Sequence, residues 1–290
     1  MKWTAGNRDN VDDVRAQSGG GGAIRMGGLG MGGLLVMLIL SWATGVDFLS
    51  LLSPDSTSTG PSVSTGTGTS GELRTTPEEE RTVDFVDAVM RDAQEMWQTK
   101  LGGRYQVTRA RIFRDGIDSA CGFAQSATGP FYCPADQVVY LDLGFFRELQ
   151  ERFRAPGDFA QAYVLAHELG HHVQKLLGIE SQVRRLQQAN PDQQNALSVR
   201  LELQADCFAG VWGNQAAQPG RAAQGKVELE AGDTEEGLNA AASIGDDRIQ
   251  RMSGSRVAPD RFTHGSSEQR VTWFKKGLQS GNVQACDTFQ

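Results

Sequence analysis

Apolar residues recur at helical spacing in three long segments of the chain. In residues 78–102 the apolar stripe consists of Val83, Val86, Val89, Met90, Ala93 and Trp97. In residues 158–177 apolar positions stand three and four apart, with Asp158 suited to cap the start and Gly178 to supply a left-handed residue at the end. The segment 190–212 opens with an Asn-Pro pair and continues the same spacing. The pattern predicts three amphipathic helices.

Two shorter runs have the composition of β-strands. Residues 104–113 alternate in polarity, and residues 137–146 are rich in β-branched and aromatic side chains. A short helix around residues 145–153 is predicted to lead from the second run into the 158–177 helix. These elements predict an α+β fold, a mainly helical domain with a small sheet, over residues 81–290.

The N-terminal part of the chain contains an uncharged run. The 21 residues from Met26 to Val46 include no Asp, Glu, Lys or Arg. As a helix this run would span roughly 30 Å, about one hydrocarbon core. It predicts one transmembrane helix over residues 27–52. A cleaved signal peptide, with its site near residues 43–45, is the alternative.

Basic residues are distributed unevenly around the predicted transmembrane helix. Four precede it: Lys2, Arg8, Arg15 and Arg25. None follows it until Arg74. This bias predicts that residues 1–26 are a cytoplasmic segment of a single-pass inner-membrane protein and that the domain is extracytoplasmic. Residues 53–80, dominated at first by Ser, Thr, Gly and Pro, are predicted to be a flexible linker.

The overall charge argues against one class of partner. The chain has 28 Lys and Arg against 35 Asp and Glu, a net charge of −7. It has no basic cluster interleaved with aromatic residues. Nucleic-acid binding is therefore not expected.

Three of the four histidines lie in the six-residue stretch HELGHH, which begins at His167. On a helix His167 and His171 stand one above the other, so both imidazoles can reach one ion. Glu168 is displaced round the helix, as in the HExxH motif, where the carboxylate acts on a water bound to the metal. His172 points elsewhere and is given no role. The alternative is a pair of half-buried histidines without a metal.

A catalytic zinc ion takes three protein ligands and leaves a fourth position to water. The longer HExxHxxGxxH motif is excluded, because Gln174 and Leu177 stand where it needs glycine and histidine. Glu202 and Asp206 lie four apart beside the apolar stripe of the 190–212 helix, where unpaired carboxylates would be costly. We predict that Glu202 is the third zinc ligand and that Asp206 accepts the spare N–H of a ligand histidine. A solvated helix edge is the alternative.

Several separated motifs resemble those of the putative neutral zinc metallopeptidase family of bacterial membrane-anchored proteins. They are KWTAGNRDNVDDVR, GGGGAIRMGGLGMGG, HELGHHVQ, RLELQADCFAGVW, THGSSEQRVTWFKKG and ACDTF. The ExxxD element is also similar to that of the glutamate zincins. That resemblance implies a zincin-like fold with zinc ligation by His167, His171 and Glu202. In such a fold a strand just before the active-site helix often forms the cleft rim, where a peptide could add as another strand.

The four cysteines allow three disulfide connectivities. An extracytoplasmic domain would favour disulfide formation. We favour Cys121–Cys133, the closest pair in sequence, and Cys207–Cys286, which would tie the C-terminal tail to the helix that carries Asp206. Four buried free thiols are the alternative. No CxxC spacing exists, so a zinc finger is not predicted.

The function predicted from these observations is a membrane-anchored zinc endopeptidase acting on proteins or peptides. Glu168 would take a proton from a zinc-bound water and return it to the leaving nitrogen. Two alternatives are a non-catalytic zincin-like module that binds cell-envelope partners and an amide hydrolase acting on cell-wall peptides.

A second catalytic residue is predicted in the loop before the last long helix. His264 precedes Ser266, which forms a capping box with Gln269. Zinc hydrolases commonly need a further donor for the oxyanion, and we predict that His264 supplies it. A hydrogen bond within the loop is the alternative role of His264. Tyr140 and Tyr163 are weaker candidates for the donor.

Overall fold

The structure is a computed structural model that describes residues 1–16 and 75–290. The predicted transmembrane helix at 27–52 and most of the predicted linker lie outside the described residues. Within the described ranges, no helix combines the length and apolarity needed to cross a membrane.

The described residues form an α+β fold, as the sequence predicts. The strands are β1 (Val11–Asp13), β2 (Ala110–Phe113), β3 (Gly116–Ser119), β4 (Gly122–Gln125), β5 (Phe131–Cys133) and β6 (Val138–Asp142). The helices are α1 (Pro77–Leu101), α2 (Gly144–Glu151), α3 (Asp158–Leu176), α4 (Ile179–Ala189), α5 (Gln194–Ala216), α6 (Asp233–Ser243), α7 (Asp246–Met252) and α8 (Ser267–Ser280). Strands β3 and β4 form a separate antiparallel hairpin.

The main sheet has the strand order β1-β2-β6-β5. Strands β1, β2 and β6 are parallel, and β5 pairs antiparallel with β6. The predicted strand at 137–146 corresponds to β6, which is an interior strand. The strands at the two edges of the sheet are β1 and β5, neither of which the sequence analysis identified. A three-residue strand offers too few positions for alternation to be detected.

The N-terminal residues belong to the same fold as the rest. Whereas the sequence analysis begins the domain near residue 81, helix α1 begins at Pro77. Thr76 caps it, and the Thr76 side chain and the Glu79 side chain form a capping box. Residues 1–16 also lie against the domain, with β1 hydrogen-bonded to β2.

Helix boundaries differ from the predictions by a few residues. Asp158 is the first residue of α3 and not its N-cap, a position that Gly157 occupies. Gly178 has the predicted left-handed backbone, with φ of 76°. Beyond it, α4 is a further helix that was not predicted, and α5 begins at Gln194 after a short 3₁₀ turn.

The core lies between the sheet and the central helices α3 and α5. Its largest fully buried side chains include Trp97, Trp212, Phe159 and Phe208. Helices α3 and α5 approach closely at Gly170, where an added Cβ would lie 3.0 Å from the Cα of Ala205. A glycine between the two histidines of HExxH therefore allows α5 to bring its carboxylates to α3.

Both favoured disulfides are present. Cys121–Cys133 joins the β3–β4 hairpin to the edge strand β5. Cys207–Cys286 joins α5 to the C-terminal tail. No free cysteine occurs among the residues that the structure describes.

Candidate metal centre

Three side chains from α3 and α5 converge at one point. His167, His171 and Glu202 each offer one ligand atom, and these atoms lie within 4.8 Å of one another. The Nε2 atom of His167 is 3.2 Å from one oxygen of Glu202, and the Nε2 atom of His171 is 3.5 Å from the other. The structure thus brings together the three residues predicted to bind the metal.

Hydrogen bonds determine which ring nitrogen of each histidine carries the proton. The Nδ1 atom of His167 is 2.8 Å from Asp206 Oδ1, and the Nδ1 atom of His171 is 2.9 Å from Gln174 Oε1. The Gln174 amide nitrogen donates to the carbonyl of Leu201, so its oxygen faces His171. Carboxylate and amide oxygens only accept, so both Nδ1 atoms carry hydrogen. When such a ring is neutral, its lone pair is therefore on Nε2.

When both rings are neutral, two nitrogen lone pairs and the Glu202 carboxylate face one another, which favours a cation, either a proton or a metal ion, between them. Burial by itself lowers the pKa of His167, but Asp206 and Glu202 outweigh it and raise that pKa to about 10. Burial raises the pKa of Glu202, but His171, His264 and His167 lower it overall. Two imidazoles and one carboxylate form a donor set that zinc accepts.

Asp206 lies behind His167 and is fully buried. One of its oxygens accepts from the hydroxyl of Tyr163 at 2.5 Å as well as from His167. Arg270 donates to both oxygens, at 2.9 and 2.8 Å. Burial raises the pKa of Asp206, but Arg270 and His167 lower it overall, so Asp206 is ionised. Asp206 therefore occupies the position predicted for it.

Sequence reasoning missed Arg270. It lies on the buried stripe of α8 together with Phe274 and Gly277. A charged residue in that stripe was the available signal, because such a residue needs a buried partner. The partner, Asp206, is 64 residues away, too far for any local pattern to identify it.

Glu168 lies beside the ligands and is 7% exposed. Burial is the largest effect on its pKa and raises it. The nearby His167 and His171 side chains and the backbone of Tyr132 in β5 oppose that rise. The side chain therefore lies near β5 and does not belong to the cluster of His167, His171 and Glu202, as its offset on the helix predicts.

His172 connects the active-site helix to β5. Burial lowers the pKa of His172, so the ring is neutral. Its Nε2 donates to the carbonyl of Gln106 at 2.7 Å, and its Nδ1 accepts from the Tyr132 hydroxyl at 2.9 Å. The sequence analysis gave His172 no role. In the structure its side chain joins α3 to Tyr132 and to the backbone of Gln106.

His264 lies in the loop between α7 and α8. Its Nδ1 is 3.2 Å from Asp246 Oδ1, and the other Asp246 oxygen accepts the backbone N–H groups of Thr263, His264 and Gly265. The side chain is 40% exposed. His264 is close enough to Glu202 to contribute to its lowered pKa. The hydrogen bond within the loop, which was the alternative role of His264, is therefore present. It involves the Nδ1 atom of the ring and not Nε2. Asp246 was not identified from the sequence.

The two tyrosines considered as oxyanion donors have other partners. The hydroxyl of Tyr163 donates to Asp206, and that of Tyr140 donates to Asp136 at 2.7 Å. Both rings are fully buried.

Comparison with known proteins connects this geometry to a family. The family described as "Putative neutral zinc metallopeptidase" matches residues 1–289. The chain belongs to this family. The resemblance seen in its motifs therefore extends over almost its entire length.

Two curated proteins are similar to this chain over most of its length. It is 45% identical over 302 residues to the uncharacterized protein YpfJ of Escherichia coli (strain K12), covering 100% of this chain and 99% of that relative. It is 43% identical over 214 residues to the uncharacterized protein Rv2575 of Mycobacterium tuberculosis (strain ATCC 25618 / H37Rv), covering 72% of this chain and 68% of the relative. No solved structure matches it significantly.

Proposed function

We propose that this protein is a zinc-dependent endopeptidase that uses Glu168 as its general base. The observation that carries the proposal is the convergence of two histidine Nε2 atoms on Glu202, with Glu168 beside them and outside the ligand set. A purely structural metal site would have no use for a buried carboxylate next to it. The membership of the chain in a zinc metallopeptidase family supports the same conclusion.

His167, His171 and Glu202 would hold the zinc ion, with Asp206 and Gln174 orienting the two histidines. Zinc, when bound, lowers the pKa of a coordinated water and polarises a carbonyl group. Glu168 takes the proton of the attacking water at its carboxylate and gives it to the leaving nitrogen. Burial raises the pKa of Glu168. A carboxyl group with a raised pKa is better able both to accept a proton and to return it.

His264 would donate from Nε2 to the oxygen that becomes negative during attack. Its Nδ1 is engaged by Asp246 and Thr263 at 3.2 and 3.0 Å, which orients the ring. Its side chain is near enough to Glu202 to lower the pKa of that carboxyl. A donor placed there before the reaction lowers the barrier, because it needs no reorganisation when charge develops.

A peptide substrate is supported by the position of β5. This strand lies at one edge of the four-stranded sheet, and the backbone of Tyr132 within it is near enough to Glu168 to lower the pKa of that carboxyl. An extended peptide could pair with an edge strand through main-chain hydrogen bonds, which would place a peptide bond beside the general base. Such binding depends little on side chains, which suits a peptidase.

We also propose that the domain works outside the cytoplasm. Two disulfides are formed within the described residues, and such bonds persist mainly in oxidising compartments.

The decisive test compares the full-length protein with Glu168→Gln. Both proteins are purified, their zinc content is measured, and hydrolysis of an unfolded protein and of cell-wall peptides is followed with and without a chelator. We expect Glu168→Gln to keep one zinc ion and to lose hydrolysis, and chelation to abolish wild-type activity. Glu151→Gln, which changes an exposed glutamate, is the matched control and should be fully active. Undiminished turnover by Glu168→Gln would refute the assignment.

A further inference from the structure

Strand β1 is a constituent of the main sheet. It pairs in parallel with β2, with Val11 opposite Ala110 and Asp13 opposite Ile112. The backbone N–H of Ala110 donates to the carbonyl of Asn10 at 2.8 Å, and Val11 is 8% exposed. The N-terminal residues therefore hydrogen-bond to the backbone of β2 and form the edge of the sheet opposite β5.

A buried carboxylate on α1 depends on these residues. Asp87 is fully buried, and its Oδ1 accepts from both the backbone N–H and the side-chain amide of Asn10, each at 3.0 Å. The Asn10 side-chain oxygen in turn accepts from Gln94 at 2.9 Å. A buried carboxylate that loses its hydrogen bonds carries a large desolvation penalty. Helix α1 therefore has polar groups that residues 1–16 satisfy.

Two of the basic residues that suggested a cytoplasmic N-terminus are paired with acids of α1. The Arg8 guanidinium lies 2.6 Å from Asp84 and 2.7 Å from Glu80. Arg15 lies 2.8 Å from Glu80, and its side chain is almost completely buried. The positive-inside bias reflects basic side chains retained on the cytoplasmic side. Arginines whose charges are neutralised within the fold are weaker evidence for that orientation.

We infer that residues 1–16 are an integral part of the peptidase domain and lie on the same side of the membrane as residues 75–290. A chain that crossed a membrane an odd number of times between residues 16 and 75 would separate β1 from β2, and this sheet could not form. The inference therefore replaces the topology that the basic residues predict, in which residues 1–26 and the domain lie on opposite sides. It stands on packing alone and does not depend on catalytic activity.

Thiol accessibility in intact spheroplasts tests the inference with the full-length chain. Ala5→Cys and Gln279→Cys each add one exposed cysteine, the first before β1 and the second at the end of α8. A membrane-impermeant maleimide is applied to spheroplasts and, in parallel, to lysed cells. The chain without an added cysteine gives the background from Cys121, Cys133, Cys207 and Cys286. We expect the fraction labelled in spheroplasts, relative to lysate, to be equal for the two variants. Labelling of one variant with protection of the other would overturn the inference.

A stability measurement on the purified full-length protein tests the docking of β1 directly. Asn10→Ala removes the side-chain hydrogen bond to buried Asp87 and leaves the Gln94 amide without its Asn10 acceptor, and it should lower Tm by roughly 4–8 °C. Asn7→Ala is the matched control, because the Asn7 side chain is exposed and donates to exposed Asp9, two residues along the chain. Its Tm should stay within about 1 °C of wild type. A Tm for Asn10→Ala equal to that of Asn7→Ala would show that residues 1–16 are not docked and would overturn the inference.

Discussion

Arg270 donates hydrogen bonds to both carboxylate oxygens of Asp206, with Nε 2.9 Å from Oδ2 and Nη2 2.8 Å from Oδ1. The same Asp206 lies 2.8 Å from Nδ1 of His167. Three helices thus meet in one hydrogen-bonded series, in which α8 holds the carboxylate of α5 and that carboxylate holds the first histidine of α3. The orientation of His167, a proposed zinc ligand, therefore depends on Asp206 and Arg270, which are not proposed ligands.

Removing Arg270 should weaken zinc binding although this residue is not a proposed ligand. In Arg270→Met the carboxylate of Asp206 loses its bidentate partner and His167 loses its fixed orientation, so we expect zinc affinity to fall about 10–100-fold. Arg270→Lys should recover only part of this loss, because an ammonium group cannot make two parallel hydrogen bonds. Metal titration with a competing chelator measures the affinities. Wild-type affinity in Arg270→Met would show that Arg270 only stabilises the fold.

Substitutions of the two acids of α5, Glu202 and Asp206, should lower zinc affinity to different extents. Glu202→Ala removes a proposed ligand and should lose most zinc binding. Asp206→Asn keeps the size of the side chain but removes the charge that orients His167, so the loss should be about 10–100-fold. Zinc content after dialysis against a weak chelator distinguishes the two. If Asp206→Asn were the metal-free variant, the roles of ligand and orienting residue would have to be exchanged.

Loss of His264 should affect turnover and leave the metal in place. His264→Ala removes the proposed donor to the oxyanion and should lower kcat about 100-fold or more, with zinc content unchanged. His264→Gln retains a donor of similar reach and should recover part of the rate. Steady-state kinetics and metal analysis on the same preparations provide the test. An unchanged kcat in His264→Ala would limit this residue to its loop hydrogen bonds.

The His264–Asp246 pair should also contribute a pH-dependent stability. Burial raises the pKa of Asp246, but its hydrogen bonds from His264 and the backbone lower it below the usual 3.8, so its contribution is lost as the pH falls. Burial lowers the pKa of His264, but Glu202 and Asp246 raise it above the usual 6.5, so its contribution is lost as the pH rises. The contribution should therefore be largest between pH 3.8 and 6.5.

Urea unfolding of wild type and His264→Gln at several pH values measures this contribution as a difference in free energy of unfolding. The difference should be small at every pH, because 40% of the His264 side chain is exposed and solvent screens the pair. It should nevertheless be greatest near pH 5 and decline towards about pH 3 and pH 9. A difference that stayed constant with pH would show that the pair does not titrate together.

Local spacing was sufficient to predict much of the candidate site. In a helix, residues four apart share a face, so the pair His167 and His171 and the pair Glu202 and Asp206 could each be recognised without knowing the fold. The capping box of Ser266 and Gln269 is likewise confirmed, because all its atoms lie within one turn. The favoured disulfides Cys121–Cys133 and Cys207–Cys286 are also confirmed, although the sequence left three connectivities open.

Only the tertiary structure decided which distant groups support that site. Arg270 and Asp246 reach their partners through packing of α7 and α8, and their own neighbours in the chain give no sign of those partners. Strands β1 and β5 have three residues each, too few for a periodic pattern, and they exist because neighbouring strands satisfy their backbone groups. The sequence by itself determined the ligand-bearing faces of the helices, since these depend on local periodicity. Folding decided the contacts of Arg270 and Asp246 that support the site and the docking of residues 1–16 on the domain. Both depend on partners brought together from far along the chain.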